Sequence, residues 1–271
     1  MSLGAPFESA GRPFVLAHRG ASAEAPENSA RAFSLALAQG ADGVELDVMR
    51  CGSGEIVVVH DEELSRLAGQ PVELRRAPWS VLRGLDVGSW FHPRFSDTRL
   101  LLLEEALELL RPPALVNVEL KGEGMGDPAL PARVSEILSA DPAPERFLVS
   151  SFNPALLVRF RAAQGRLPHS RRSPRGLLFE AEQSAPLRRA SLAPLVGVGS
   201  LHPSLDLCRA SSIAGWRARG YAVVPWTVDE PAVALALQAA GVAGFITNRP
   251  ALLREALHGP AQRTTDASPG A

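Results

Sequence analysis

The sequence predicts an α/β chain of the (β/α)8 TIM-barrel class, with a small insertion after the second βα region. Three observations predict it. Short apolar, β-branched runs alternate with longer segments of helical period from Phe14 to Leu257. Eight strand–helix units fit within 271 residues, close to the usual barrel length of about 250. Residues able to do chemistry follow strands all along the chain, as they do where strand ends meet at one rim. An open doubly wound sheet is the rival, but no G-x-G-x-x-G follows a strand.

Each element has its own signal. Phe14 to Ala17 reads as the first strand. Asn28 and Ser29 offer an N-cap, Ala30 to Gln39 carries apolar residues at helical spacing, and Gly40 stops it. Gly43 to Val48 is the second strand, and Ile56 to Val59 is a further β-branched run ending at His60. Between Pro71 and Arg99 the rhythm breaks at Pro78, Gly84, Gly88 and Pro93. A short helix is expected over Trp79 to Arg83, inside an insertion spanning about residues 61–100. Leu103 to Leu110 is helical and stops at Pro112-Pro113.

The second half repeats one unit. Strands are expected at Ala114–Leu120, Phe147–Ser150, Gly176–Phe179, Val196–Leu201, Ala222–Trp226 and Gly244–Thr247. Helices follow at Pro128–Ser139, Pro154–Ala163, Ala185–Leu192, Leu207–Arg219, Pro231–Ala240 and Leu252–Leu257. One domain is expected over residues 1–258. The remainder, 259–271, is rich in Pro, Ser, Thr, Ala and Gly and is expected to be disordered.

Composition narrows the function. The chain is 46% hydrophobic with 28 basic and 29 acidic residues, a net charge of −1 that gives no reason to expect a nucleic-acid partner. The local excess from Arg166 to Arg175 reads as a solvated loop. Cys51 and Cys208 are not a CxxC pair, which points to a reduced, cytoplasmic chain. Residues 1–12 lack the apolar core of a signal peptide, and no run of about 18 apolar residues exists to span a membrane.

Four clusters carry the chemistry: His18-Arg19-Gly20, Glu45-Leu46-Asp47, His60-Asp61 and Glu119-Leu120-Lys121. Glu45 and Asp47 are two apart, so on a strand both carboxylates point to one face, as do Glu119 and Lys121. Three inward carboxylates repel unless a cation sits among them, and all-oxygen ligation favours Mg2+ or Ca2+. His18 and His60, each at a strand end, suit a general acid and a general base near neutral pH. Arg19 and Lys121 offer fixed charge to a phosphate. Gly20 is expected to let the backbone approach closely. Asn28 either bonds the ligand or caps its helix; Trp226 and Phe152 either wall the pocket or fill the core. His202 is read as structural, and His92, His169 and His258 lack any such context.

The stretches AHRGASAEAPENSARAF (17–33), GADGVELDV (40–48), VVHDEELSRLAG (58–69), LDVGSWF (85–91), VNVELK (116–121), VSSFN (149–153), VVPWTVDEP (223–231) and GFITNRP (244–250) cover nearly the whole chain in order. Together they resemble the glycerophosphodiester phosphodiesterase family. The resemblance implies a TIM barrel that hydrolyses deacylated phospholipids, a small-molecule substrate, to glycerol 3-phosphate and an alcohol. It implies His18 and His60 as the acid/base pair, one divalent cation on Glu45, Asp47 and Glu119, and Arg19 and Lys121 at the phosphate with Asn28 close by. It also implies that the insertion shapes the pocket. The family often carries acids where this chain has Ala243 and Asn248, and neither position is among the expected site residues. Two other readings stay open: a phospholipase-type enzyme acting on intact lipid, and a non-catalytic glycerophosphodiester-binding module.

Overall fold

The computed structural model describes residues 11–258, together with Leu3 and Phe7. The expectation of a disordered tail over 259–271 therefore lies outside the described residues. Eight strands form one parallel sheet. They are β1 (Phe14–His18), β2 (Gly43–Arg50), β5 (Leu115–Leu120), β6 (Phe147–Ser151), β7 (Arg175–Phe179), β8 (Ser200–Pro203), β9 (Ala222–Val223) and β10 (Gly244–Thr247). The pairing runs from β10 through β1 and β2 to β5 and on to β9. Three backbone hydrogen bonds join the two ends: Ala243 N to Val223 O, Ile246 N to Pro225 O and Val228 N to Ile246 O, at 2.8, 3.0 and 2.9 Å.

Alternation along the strands sorts their side chains. Leu16, Leu115, Leu148, Val224 and Ile246 point inward and form the barrel's own core. Val44, Leu46, Val116 and Val118 point outward onto one group of helices; Val15, Leu177, Leu201 and Phe245 point onto another. His18, Glu45, Asp47, Glu119 and Lys121 share the inward parity, one or more steps further toward the strands' C-terminal ends.

The insertion leaves the barrel through β3 (Ile56–Val58) and returns through β4 (Leu101–Leu102), antiparallel to β3. Between them lie two single α-helical turns, Ser65–Ala68 and Trp79–Leu82, and a 3-10 turn, Pro93–Phe95. The segment has its own apolar cluster of Leu64, Leu74, Leu82 and Leu100 against Met49 and Val57.

Several boundaries differ from expectation for local reasons. Ser29, not Asn28, caps the helix Ala30–Ala38: its Oγ accepts from Ala32 N at 3.2 Å. Residues 185–196 hold two separate turns, Ala185–Arg188 and Ala193–Val196, rather than a helix and the start of a strand. Gly197, at φ +72°, ends the second turn, so β8 begins only at Ser200. β9 is shorter than Ala222–Trp226 because Pro225 has no N–H to donate. The helix expected from Leu207 starts at Ala210, after a 3-10 turn over Leu205–Leu207. The Arg166–Arg175 stretch is more than a solvated loop. Arg171, Arg172 and Arg175 donate to the carbonyls of Ser139, Leu167 and Gly197, and Arg175 opens β7. Among the described residues no helix is long and apolar enough to cross a membrane.

Gly176 shows how tightly the interior is filled. A Cβ there would lie 2.3 Å from His202 Nε2, whose ring is fully buried on β8. Gly176→Ala is therefore expected to cost about 1–3 kcal/mol of stability. Gly165→Ala, where a Cβ meets nothing within 4 Å, is expected to change stability by less than about 0.5 kcal/mol. Urea unfolding of both variants checks the contrast.

Candidate active site

The centre of the site is a cage of acids. Register sets Asp47 of β2 beside Glu119 of β5, and Glu45 lies two residues before Asp47 on the same face. One carboxylate oxygen from each lies within 4.8 Å of the others, and all three residues are buried. Burial, then repulsion from Asp47 and Glu119, raises the Glu45 carboxyl well above its ordinary range. Burial raises Glu119 to about 7, with Asp47 adding to the effect and Lys121 opposing it. Burial also works against ionised Asp47, but Arg19 and Lys121 overcome it and hold that carboxyl below the usual range. Asp47 Oδ1 is buried without a hydrogen-bond partner, with Lys121 Nζ 3.7 Å away. An all-oxygen donor set of this kind fits Mg2+ or Ca2+.

Basic groups surround the cage without filling it. Lys121 Nζ lies 2.9 Å from Glu119 Oε1. Arg19 Nε lies 3.1 Å from Asp47 Oδ2, and Arg19 Nη1 donates to Glu27 Oε1 at 3.0 Å. Gly20, at φ +83°, lets the chain after Arg19 turn hard against the first helix, where a Cβ would fall 2.6 Å from the Ala32 backbone. The close approach expected at Gly20 is therefore made to the first helix.

The two histidines approach from separate strands. His18 Nε2 lies 4.0 Å from Glu45 Oε2. Burial, reinforced by Arg19, lowers His18 to about 4. His60 Nδ1 pairs with Asp61 Oδ1 at 2.7 Å. Burial also lowers His60, with Asp47 and Asp61 pulling the other way.

His18, Arg19, Glu45, His60, Glu119, Lys121, Phe152 and Trp226 all line one cavity of about 1010 Å³. The Phe152 and Trp226 rings meet edge to face at 5.3 Å, and Lys121 Nζ sits 5.9 Å from the Phe152 ring centre. Asp47 and Asn28 stand behind this wall. Asn28 neither caps the helix nor faces the cavity: it donates Nδ2 to Asp47 Oδ2 at 2.9 Å and accepts from Asp47 N at 3.3 Å. Its role is to orient an acid of the cage. His202 is structural, its ring against Ser200 Oγ at 2.9 Å and its carbonyl holding Trp226 Nε1 at 2.9 Å.

Several participants escaped the sequence reading. Arg66, from the insertion, donates to both Asp61 and Glu27, so one guanidinium links the partner of His60 to the partner of Arg19. Glu27 and Arg66 lie inside the quoted stretches 17–33 and 58–69, and Asp61 in the His60-Asp61 cluster, so each had a signal but none had an assigned partner. Asn248 contradicts its placement outside the site: its Oδ1 lies 2.8 Å from His18 Nδ1. Asn117, beside Glu45 on the next strand, lines the cavity with both amide atoms unpartnered.

Known proteins resemble the chain along most of its length. The model of the glycerophosphoryl diester phosphodiesterase family matches residues 18–252. A glycerophosphodiester phosphodiesterase of Caldanaerobacter subterraneus is 32% identical over 89% of this chain and 96% of its own. A probable glycerophosphodiester phosphodiesterase 1 of Mycobacterium tuberculosis is 35% identical over 82% of this chain and 84% of its own. Among solved structures, an Oleispira antarctica phosphodiesterase in complex with the product sn-glycerol-3-phosphate superposes with a TM-score of 0.79 at 30% identity, covering 91% of this chain and 97% of that one.

The raised carboxyls of the cage would make cation binding there a proton-linked event. Glu119 in the folded, cation-free protein titrates at about 7 against an ordinary 4.5. Its contribution to stability is therefore present below about 4.5 and lost as pH rises through about 7. Adding Mg2+ or Ca2+ to chelated protein is expected to release protons from Glu45 and Glu119, and more of them at pH 6 than at pH 8. It is also expected to raise the melting temperature more at pH 8 than at pH 5. Calorimetry in buffers of different ionisation enthalpy reads the protons; cation-independent melting at pH 8 contradicts the assignment.

Proposed function

The chain belongs to the glycerophosphoryl diester phosphodiesterase family, and from that membership we propose metal-dependent hydrolysis of glycerophosphodiesters to glycerol 3-phosphate and an alcohol, with His18 and His60 moving the protons. The observation that carries this reading is that both imidazoles open onto one cavity with Glu45 and Glu119 of the acid cage, Arg19 and Lys121. The glycerol 3-phosphate held by the Oleispira relative supports the same substrate class.

The residues divide the work by charge. Arg19 and Lys121 bind the phosphate, each already held in place by an acid. Glu45, Asp47 and Glu119 hold one divalent cation. Bound there, it supplies polarisation of a non-bridging oxygen and neutralisation of the charge that grows on it. One histidine takes a proton from the attacking oxygen, whether water or a neighbouring glycerol hydroxyl, and the other returns one to the leaving alkoxide. The edge-to-face pair Phe152 and Trp226 packs against the substrate and excludes water. The two cysteines are unpaired, which fits a reducing, cytoplasmic setting.

A product assay tests the reading. Glycerophosphocholine and related head groups are expected to yield glycerol 3-phosphate, chelator to abolish it, and diacyl phosphatidylcholine to be spared. His18→Ala and His60→Ala are each expected to lose about 10²–10⁴-fold in turnover while binding Mn2+ normally. Turnover near that of the unmodified enzyme in either variant removes that histidine from the reaction, and preferential cleavage of the diacyl lipid overturns the substrate.

A further inference from the structure

Beyond the two histidines lies a fixed chain of polar groups that the proposed reaction does not yet use. Asp229 accepts three hydrogen bonds: from Asn248 N at 2.7 Å, from Thr247 Oγ1 at 2.9 Å and from Asn248 Nδ2 at 2.8 Å. An ionised carboxylate only accepts, so Asn248 must present its amide NH2 to Asp229. Its Oδ1 is thereby turned the other way, where it meets Ser22 Oγ at 2.9 Å and His18 Nδ1 at 2.8 Å. An amide oxygen also only accepts, so the proton between Asn248 and His18 sits on Nδ1. In a neutral imidazole the other nitrogen is then bare. That nitrogen, Nε2, is the one on the side of Glu45 and the cavity.

We propose that Asn248, held by Asp229, is a positioning residue that locks His18 in its Nδ1–H form and so keeps its Nε2 bare toward the cavity. The inference rests on the proposed hydrolysis for its meaning, but not for its proof, since the tautomer is a property of the resting protein. Side-chain order along Asp229, Asn248 and His18 is directional. Reversing the chemistry at one position breaks it, and reversing both restores it. In Asn248→Asp two carboxylates face each other where a 2.8 Å hydrogen bond now lies. With Asp229→Asn added, the new amide oxygen still accepts from Asn248's former backbone N–H and from Thr247, while its NH2 donates to the new carboxylate.

Nitrogen-15 NMR of the full chain in Mg2+ buffer, with His18 assigned by its absence in His18→Ala, reads the tautomer directly. The expected result is a protonated Nδ1 and a bare Nε2. Asn248→Ala is expected to give a mixture of both tautomers and to lower kcat about 10- to 100-fold, with KM changed less than about threefold. Asn248→Asp is expected to lose activity and the double variant Asp229→Asn/Asn248→Asp to regain it together with the Nδ1–H signature. A protonated Nε2 in the unmodified protein overturns the proposal, as does an unchanged His18 spectrum in Asn248→Ala or a double variant no better than Asn248→Asp. If Asn248→Ala fails to fold, the spectrum of the unmodified protein decides alone. A correct tautomer in a protein that leaves glycerophosphodiesters intact faults the proposed reaction and not this inference.

Discussion

Mutual repulsion among Glu45, Asp47 and Glu119 is the constraint on which the rest of the site depends. Carboxylates within 4.8 Å of one another and out of water are costly as anions, and the protein meets that cost in two ways. Arg19 and Lys121 stabilise Asp47 as an anion, while Glu45 and Glu119 are pushed toward protonation. With all three acids ionised, two fixed cations leave one negative charge over, and a divalent ion held there would offset it. The same arrangement brings a guanidinium and an ammonium group to the wall of the cavity that both histidines line.

The scaffold explains why the arrangement holds its shape. Each acid sits on a strand paired on both sides, so its direction is set by backbone hydrogen bonds and not by a loop. Behind the acids stands a second set of bonds. Asn28 orients Asp47, Glu27 braces Arg19, and Arg66 ties Glu27 to Asp61 and thus to His60. The insertion is in this way part of the site: without Arg66, Asp61 would lose the partner that holds it against His60.

Much of this was legible in the sequence, and the misses have physical causes. Same-face spacing placed Glu45 with Asp47 and Glu119 with Lys121, because strand periodicity is strict. The barrel followed from repeated strand–helix units. Strand ends near Val196 and Pro225 were misjudged because a positive-φ glycine and a missing N–H act on single residues within apolar runs that look continuous. Asn28 was placed at the ligand or the helix cap because a sequence gives a side chain's chemistry but not its direction. Asn248 was passed over for a deeper reason. It lies 230 residues from His18, and only closure of the barrel between β10 and β1 brings them together.

The most direct test of the central claim is a crystal soaked in Mn2+ with glycerol 3-phosphate, read by anomalous diffraction. The account predicts one strong peak bonded to oxygens of Glu45, Asp47 and Glu119, with the phosphate between the His18 and His60 rings and against Arg19 and Lys121. A peak elsewhere with the cage left as acids hydrogen-bonded to one another, or a phosphate outside the reach of both imidazoles, would contradict it.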